Sequence, residues 1–149
     1  MIERPMILML ADDDDDDRMF FQEALKELPL STKLTLLSDG DELMQLLNKP
    51  ENPLPHALFL DINMPKKSGI ECLKEMRKTD RLKNLPVIML STAFERELVN
   101  SLYESGVKYY IRKPANFTEL KNVIEKALAL IDYEHIQQPP AADFVINSK

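Results

Sequence analysis

The chain has 149 residues, of which 19 are basic and 25 acidic, and its formal net charge is −6. A chain of this length matches one domain and buries about two-thirds of its unfolded surface, so a hydrophobic core alone can stabilise it. The acidic balance argues against nucleic acid and anionic membranes as partners. The single cysteine, Cys72, cannot form an internal disulfide, and the first apolar run, Met6–Ala11, is too short for a signal peptide or a membrane span. We therefore expect a cytoplasmic protein.

Five short apolar runs predict β-strands, at residues 6–11, 34–37, 57–60, 87–90 and 109–111. They do not alternate between apolar and polar residues, which is typical of strands buried on both faces of a sheet. Segments with helical period lie between them and after the last one. The clearest is the final segment, with apolar residues at Leu120, Val123, Ile124, Ala127, Leu128 and Ile131.

Capping patterns predict where three of the helices begin. An N-cap side chain and an acidic residue three positions later satisfy free backbone N–H groups at a helix start. The pairs are Ser68/Glu71, Thr92/Glu95 and, in a variant form, Asn116/Glu119. Five strand–helix repeats predict a doubly wound α/β fold, with a five-stranded parallel sheet and helices on both faces. Residues 1–132 are predicted to be one domain, and residues 133–149, which lose the helical period, a C-terminal tail.

Reactive side chains follow four of the predicted strands. Asp12 and Asp13 follow the first strand, Asp61 the third, Ser91 the fourth and Lys113 the fifth. Because the carboxyl ends of parallel strands meet at one edge of a sheet, these side chains are expected to converge.

This set of groups suits phosphoryl transfer to a carboxylate. Mg²⁺ takes oxygen ligands, which Asp13 and Asp61 can supply directly and Asp12 through water. An aspartate attacks phosphorus once the metal and a cation, here Lys113, neutralise the charge repulsion. The hydroxyl of Ser91 can then hydrogen-bond a phosphoryl oxygen and so sense the product.

At these positions the chain resembles the receiver domain of two-component response regulators. The resemblance covers residues 6–132. Four segments carry it: LADD (10–13), LDINMP (60–65) followed by Gly69, PVIMLS (86–91) and YIRKP (110–114). Each motif alone is weakly specific, but the four in this order are strongly specific.

The resemblance implies a flavodoxin-like sheet of order 2-1-3-4-5 and a role for each pocket residue. Asp61 is the phosphoacceptor, with Mg²⁺ held by Asp61, by Asp13 directly and by Asp12 through water. The backbone carbonyl of Asn63 is a further metal ligand, and Lys113 pairs with the phosphate.

The resemblance also implies a switch. Ser91 is its hydroxyl, and Tyr110 is the aromatic side chain that swings inward when this hydroxyl moves. The bond between Lys113 and Pro114 is often cis in the family. The chain departs from the family pattern at the hydroxyl position: serine stands where threonine is more frequent, and the neighbouring Thr92 is bulkier than the alanine often found there. Counting five residues on from Pro86 selects Ser91 as the hydroxyl, with Thr92 as the alternative.

The implied function is a stand-alone signalling switch with no separate output domain and no enzymatic activity beyond its own phosphotransfer and dephosphorylation. A sensor histidine kinase or a histidine phosphotransfer protein would supply the phosphoryl group. A downstream protein target or a homodimer would receive the signal.

Three other functions compete with this one. A calcium loop of EF-hand type fails, because Asp17 occupies the position that requires glycine. A phosphatase that attacks with the first aspartate of a D-x-D pair would use Asp12 and Asp14, but Asp16 stands where threonine or valine is expected. A pseudo-receiver, which only binds partners, would normally lack some pocket groups. The residues Asp14 to Asp17 are interpreted as an acidic helix start; the alternative is that their charges raise the local affinity for Mg²⁺.

Overall fold

The computed structural model describes residues 5–133 and 138–147, which form a three-layer α/β sandwich. The strands are β1 (Met6–Ala11), β2 (Thr32–Leu37), β3 (Ala57–Asp61), β4 (Val87–Ser91), β5 (Tyr109–Arg112) and β6 (Val145–Ile146). The helices are α1 (Asp15–Lys26), α2 (Gly40–Leu47), α3 (Gly69–Arg77), α4 (Arg96–Glu104) and α5 (Phe117–Tyr133). The strands pair in parallel in the order β2-β1-β3-β4-β5-β6, which confirms the predicted fold and order and adds a sixth strand.

Two hydrophobic clusters hold the helices against the sheet. Successive residues of a strand point to opposite faces, so that Leu58 and Leu60 of β3 enter one cluster and Phe59 enters the other. The first cluster joins the sheet to α2, α3 and α4, and the second joins it to α1 and α5. Every residue of β3 and β4 is buried, which explains why their sequences are apolar without alternation. Cys72 is buried in the first cluster, and burial raises the pKa of its thiol to about 11.

The helix starts agree with the predicted caps at two of three positions. Ser68 and Glu71 form a complete capping box at α3, and Asn116 Oδ1 accepts a hydrogen bond from the backbone N–H of Glu119 at α5. The prediction at Thr92 is wrong, because α4 begins at Arg96 after an N-cap without a side-chain hydrogen bond. In the segment before α4, the N–H of Ala93 donates to Ser91 Oγ and its carbonyl accepts from Tyr110 Oη.

The predicted C-terminal tail also needs correction. Residue 133 still belongs to α5, and residues 145–146 return to the sheet as β6, alongside β5. A strand of two residues is too short to show a period of two in the sequence. Residues 134–137, 148 and 149 of the predicted tail lie outside the described residues, and the domain boundary at residue 132 stays a prediction.

Candidate functional site

The predicted site residues meet at the carboxyl edge of the sheet. Parallel pairing aligns the strand ends: Ala11 lies opposite Leu60 and Asp61 lies opposite Leu90. Asp12 directly follows β1, Asp61 and Ser91 are the last residues of β3 and β4, and Lys113 directly follows β5. The edge between β1 and β3 is where the strand order reverses, and ligands of doubly wound sheets bind at this place.

Lys113 is the centre of the site. Its ammonium nitrogen lies 2.9 Å from a carboxylate oxygen of Asp12, 2.9 Å from one of Asp17 and 3.4 Å from one of Asp61. Asp12 and Asp61 are buried, and this ammonium offsets part of their burial cost. Asp17 was predicted to belong only to the acidic helix start. Asp17 lies in the first turn of α1, and its side chain points towards Lys113.

One ammonium shared by three carboxylates leaves them incompletely neutralised. Burial raises the pKa of Asp61 to about 6; the charge of Lys113 acts against this rise, and the charge of Asp12 adds to it. Burial acts to lower the pKa of Lys113, but the hydrogen bonds to Asp12 and Asp17 outweigh it, so the pKa is raised. Near neutral pH the site therefore holds a fully charged ammonium and a destabilised Asp61 carboxylate.

The carboxylates are close enough to share one cation. One carboxylate oxygen from each of Asp12, Asp13 and Asp61 lies within 4.8 Å of the others. Asp13 is exposed, whereas the other two are buried, so solvent can reach the cluster from one side. An all-oxygen ligand set with solvent access fits a hard divalent cation that retains water ligands.

The loop after β3 is built around close backbone contacts. The N–H of Gly69 donates to the carbonyl of Ile62 at 2.8 Å, and a Cβ on Gly69 would lie 2.2 Å from the carbonyl oxygen of Asp61. Only glycine permits α3 to begin this close to the loop. The N–H of Asn63 points back to Asp61 Oδ1 at 3.4 Å, and Lys66 has a positive φ of 66°. The loop thus turns sharply out of the sheet directly after Asp61.

The predicted switch residues are joined by hydrogen bonds through one residue, Ala93. The buried Ser91 Oγ accepts a bond from the N–H of Ala93 at 3.0 Å. The carbonyl of Ala93 accepts a bond from Tyr110 Oη, and the ring of Tyr110 is fully buried. Burial raises the pKa of the Tyr110 hydroxyl, which therefore remains a donor at neutral pH.

Two further observations concern the neighbourhood of the site. Among the described residues every peptide bond is trans, including the bond between Lys113 and Pro114, which is often cis in the family that the chain resembles. The trans form of a bond to proline is close in free energy to the cis form.

A cleft of about 910 Å³ lies at the amino ends of β4 and β5, at the other end of the sheet. This position separates the cleft from the site. Arg77, which lines the cleft, donates hydrogen bonds to backbone carbonyls of two loops and so has a structural role.

The fold and the site together define a doubly wound α/β protein with an acidic pocket for a divalent cation. Comparison with known proteins identifies the family: residues 8–125 match the response regulator receiver domain, and the chain belongs to this family. The chain is 32% identical over 125 residues to the response regulator Rcp1 of Synechocystis sp., covering 81% of this chain and 85% of that protein. Receiver domains are phosphorylation-dependent signalling switches of two-component systems, and they interact with histidine kinases.

Solved structures agree with this assignment. The Mn²⁺-bound form of Rcp1 superposes with a TM-score of 0.76 at 30% identity, covering 91% of this chain and 100% of that one. The phosphorylated cyanobacterial phytochrome response regulator RcpA superposes with a TM-score of 0.77 at 29% identity, covering 92% and 100%. Within residues 5–133 and 138–147, none of the helices has the length and apolar character needed to cross a membrane.

Proposed function

We propose that Asp61 accepts the phosphoryl group and that Asp12, Asp13 and Asp61, with the backbone carbonyl of Asn63, hold Mg²⁺. The observation that carries this proposal is the convergence of three carboxylates and Lys113 at the carboxyl edge of the sheet. Residues 1–132 would form the receiver domain, and the chain would act in the cytoplasm.

The hydrogen bonds of the two buried carboxylates favour Asp61 over Asp12 as the nucleophile. Asp12 Oδ1 accepts the N–H of Asp14 at 3.0 Å and its Oδ2 accepts from Lys113 at 2.9 Å, so both oxygens are engaged. The contacts of Asp61 with Asn63 and Lys113 are longer, 3.4 Å each. An oxygen of Asp61 is thus freer to attack phosphorus. In that step a P–O bond forms to Asp61, and the bond from phosphorus to its donor atom breaks.

Each remaining group has a defined task. Bound Mg²⁺ would neutralise charge on the phosphoryl oxygens and orient them for in-line transfer. Lys113 would pair with a phosphoryl oxygen, and its raised pKa keeps it charged during the reaction. Ser91 would donate its hydroxyl to another phosphoryl oxygen. Because Ser91 Oγ accepts the N–H of Ala93, and the carbonyl of Ala93 accepts the hydroxyl of Tyr110, movement of Ser91 towards the phosphoryl group would draw both towards the pocket and favour the buried position of Tyr110.

The phosphoryl group would come from the phosphorylated histidine of a sensor kinase or a phosphotransfer protein. The signal would leave by contact with a downstream protein or a second copy of the chain. Apart from its own phosphorylation and dephosphorylation, the protein would catalyse no reaction.

Labelling with acetyl phosphate and Mg²⁺, followed by intact-mass measurement, tests the assignment. One acid-stable, base-labile phosphoryl group is expected on the wild-type protein and none on Asp61→Asn. Asp16→Asn, which changes an exposed carboxylate outside the cluster, is the matched control and should be labelled normally. Equal labelling of wild type and Asp61→Asn would refute the nucleophile. No labelling of the wild type would favour a binding-only pseudo-receiver, and sustained turnover of a phosphate ester would favour a phosphatase.

A further inference from the structure

Residues 138–147, here called the C-terminal strap, lie along the outer edge of β5. The backbone N–H of Tyr110 donates to the carbonyl of Phe144 at 3.0 Å, and β6 continues this contact as a parallel strand. The strap therefore docks directly on the strand that carries the proposed switch tyrosine.

Phe144 anchors the strap in the core between α4 and β5. Its side chain is 2% exposed, and its ring centroid lies 5.1 Å from that of Tyr103 and 6.5 Å from that of Tyr110. Tyr103 also donates its hydroxyl to the carbonyl of Pro139 at 2.7 Å, while Gln138 donates to the carbonyl of Tyr103. Side-chain and backbone contacts thus fix the strap at several points.

A continuous chain of contacts connects the phosphorylation pocket to the strap. Ser91 accepts the N–H of Ala93, the carbonyl of Ala93 accepts the hydroxyl of Tyr110, and the ring of Tyr110 contacts Phe144. Tyr110 is therefore held in its buried position from two sides, at its hydroxyl by the loop after β4 and at its ring by the strap.

We propose that the strap holds Tyr110 in the buried position, so that docking of the strap and phosphorylation of Asp61 reinforce each other. The proposal rests on the proposed function, in which movement of Ser91 towards a phosphoryl group favours the inward Tyr110. Because docking of the strap and phosphorylation stabilise the same conformation, each event favours the other. Phosphorylation strengthens the docking of the strap, and the docked strap favours phosphorylation. Phe144 acts as a positioning residue through Tyr110.

Two variants separate this role from the general stability of the strap. Phe144→Leu keeps an apolar side chain in the core but removes the aromatic contact with Tyr110. Ile146→Val is the matched control, because Ile146 lies in the same strap but packs in the cluster formed with α1 and α5, away from Tyr110. Circular dichroism and thermal unfolding would verify that both variants fold.

The first measurement needs no phosphoryl group. In NMR spectra of the full chain, Phe144→Leu should shift the ring resonances of Tyr110 towards those of an exposed tyrosine, whereas Ile146→Val should leave them unchanged. Unchanged Tyr110 resonances in Phe144→Leu would overturn the proposal, because the strap would then not hold the ring.

The second measurement uses beryllofluoride with Mg²⁺ as a mimic of the phosphoryl group. Its addition should slow hydrogen exchange in residues 138–147 of the wild type. The dissociation constant should rise about two- to tenfold in Phe144→Leu, the range expected for one aromatic contact, and less than about twofold in Ile146→Val. Equal affinities in wild type and Phe144→Leu would overturn the proposal.

The controls distinguish the possible failures. If the wild type bound no beryllofluoride and Asp61 was not labelled, the proposed function would fail, and with it the coupling. If wild-type Asp61 was labelled normally but exchange in the strap did not respond to beryllofluoride, the coupling alone would fail. Exchange in the strap that depends on protein concentration would show docking on a second copy and would refute an intrachain strap.

Discussion

Replacement of Asp61 by asparagine should stabilise the metal-free protein at neutral pH. Burial disfavours the charged form of this carboxyl and raises its pKa from the usual 3.8 to about 6; the Lys113 ammonium acts against this rise and the charge of Asp12 adds to it. This rise corresponds to about 3 kcal/mol of destabilisation by the charged form. The amide of asparagine must also be buried, which costs part of the gain, so we expect a net stabilisation of about 1–3 kcal/mol.

The pH dependence has a defined sign. A carboxyl whose pKa is higher in the folded state than in the unfolded state binds protons more tightly when folded. Its contribution to stability is fully present below about pH 3.8 and is lost as the pH rises through about 6. The advantage of Asp61→Asn should therefore be full at pH 7.5 and should shrink as the pH falls from 6 towards 4.

Urea unfolding in EDTA at several pH values measures this difference. Other carboxyl groups titrate in the same range, but the contributions of those far from Asp61 cancel between wild type and variant. Asp13→Asn, which changes the exposed carboxylate of the cluster, should give a much smaller difference. Mg²⁺ at one hundred times its dissociation constant should stabilise the wild type by about 2.7 kcal/mol and Asp61→Asn by less. An Asp61→Asn variant that is less stable than wild type at pH 7.5 in EDTA would refute the reasoning.

Three further changes test other parts of the structure. Asp13→Ala should weaken Mg²⁺ binding more than about tenfold, because loss of a residue that only supports a metal ligand already costs about tenfold or more. Asp15→Ala should change Mg²⁺ affinity little. NMR titration measures both affinities, and equal losses in the two variants would contradict a defined site. Gly69→Ala should destabilise by about 1–3 kcal/mol in urea and slow labelling of Asp61, because the new Cβ meets the Asp61 carbonyl at 2.2 Å. Arg77→Lys should lose hydrogen bonds to two loops and lower the free energy of unfolding by about 1–3 kcal/mol. Asp61 of this variant should still be labelled at the normal rate, and slower labelling would connect the distant cleft to the site.

The sequence by itself determined the fold class and the main site. Short runs of apolar residues without alternation are typical of strands buried on both faces, and five of them separated by helical periods leave few topologies. Asp12, Asp61 and Lys113 could be placed together because each follows a strand, and parallel strands end at a common edge.

Tertiary structure decided the features that depend on contacts between distant parts of the chain. Asp17 was predicted to be only a helix-start residue, since its ion pair with Lys113 depends on how α1 is set against β5. The sixth strand was missed because Val145 and Ile146 are too few to show a period; their pairing depends on the free edge of β5. The helix predicted to start at Thr92 begins at Arg96 instead, and the loop before it makes hydrogen bonds with Ser91 and Tyr110. Local patterns record local propensities, whereas these contacts exist only after the sheet has assembled.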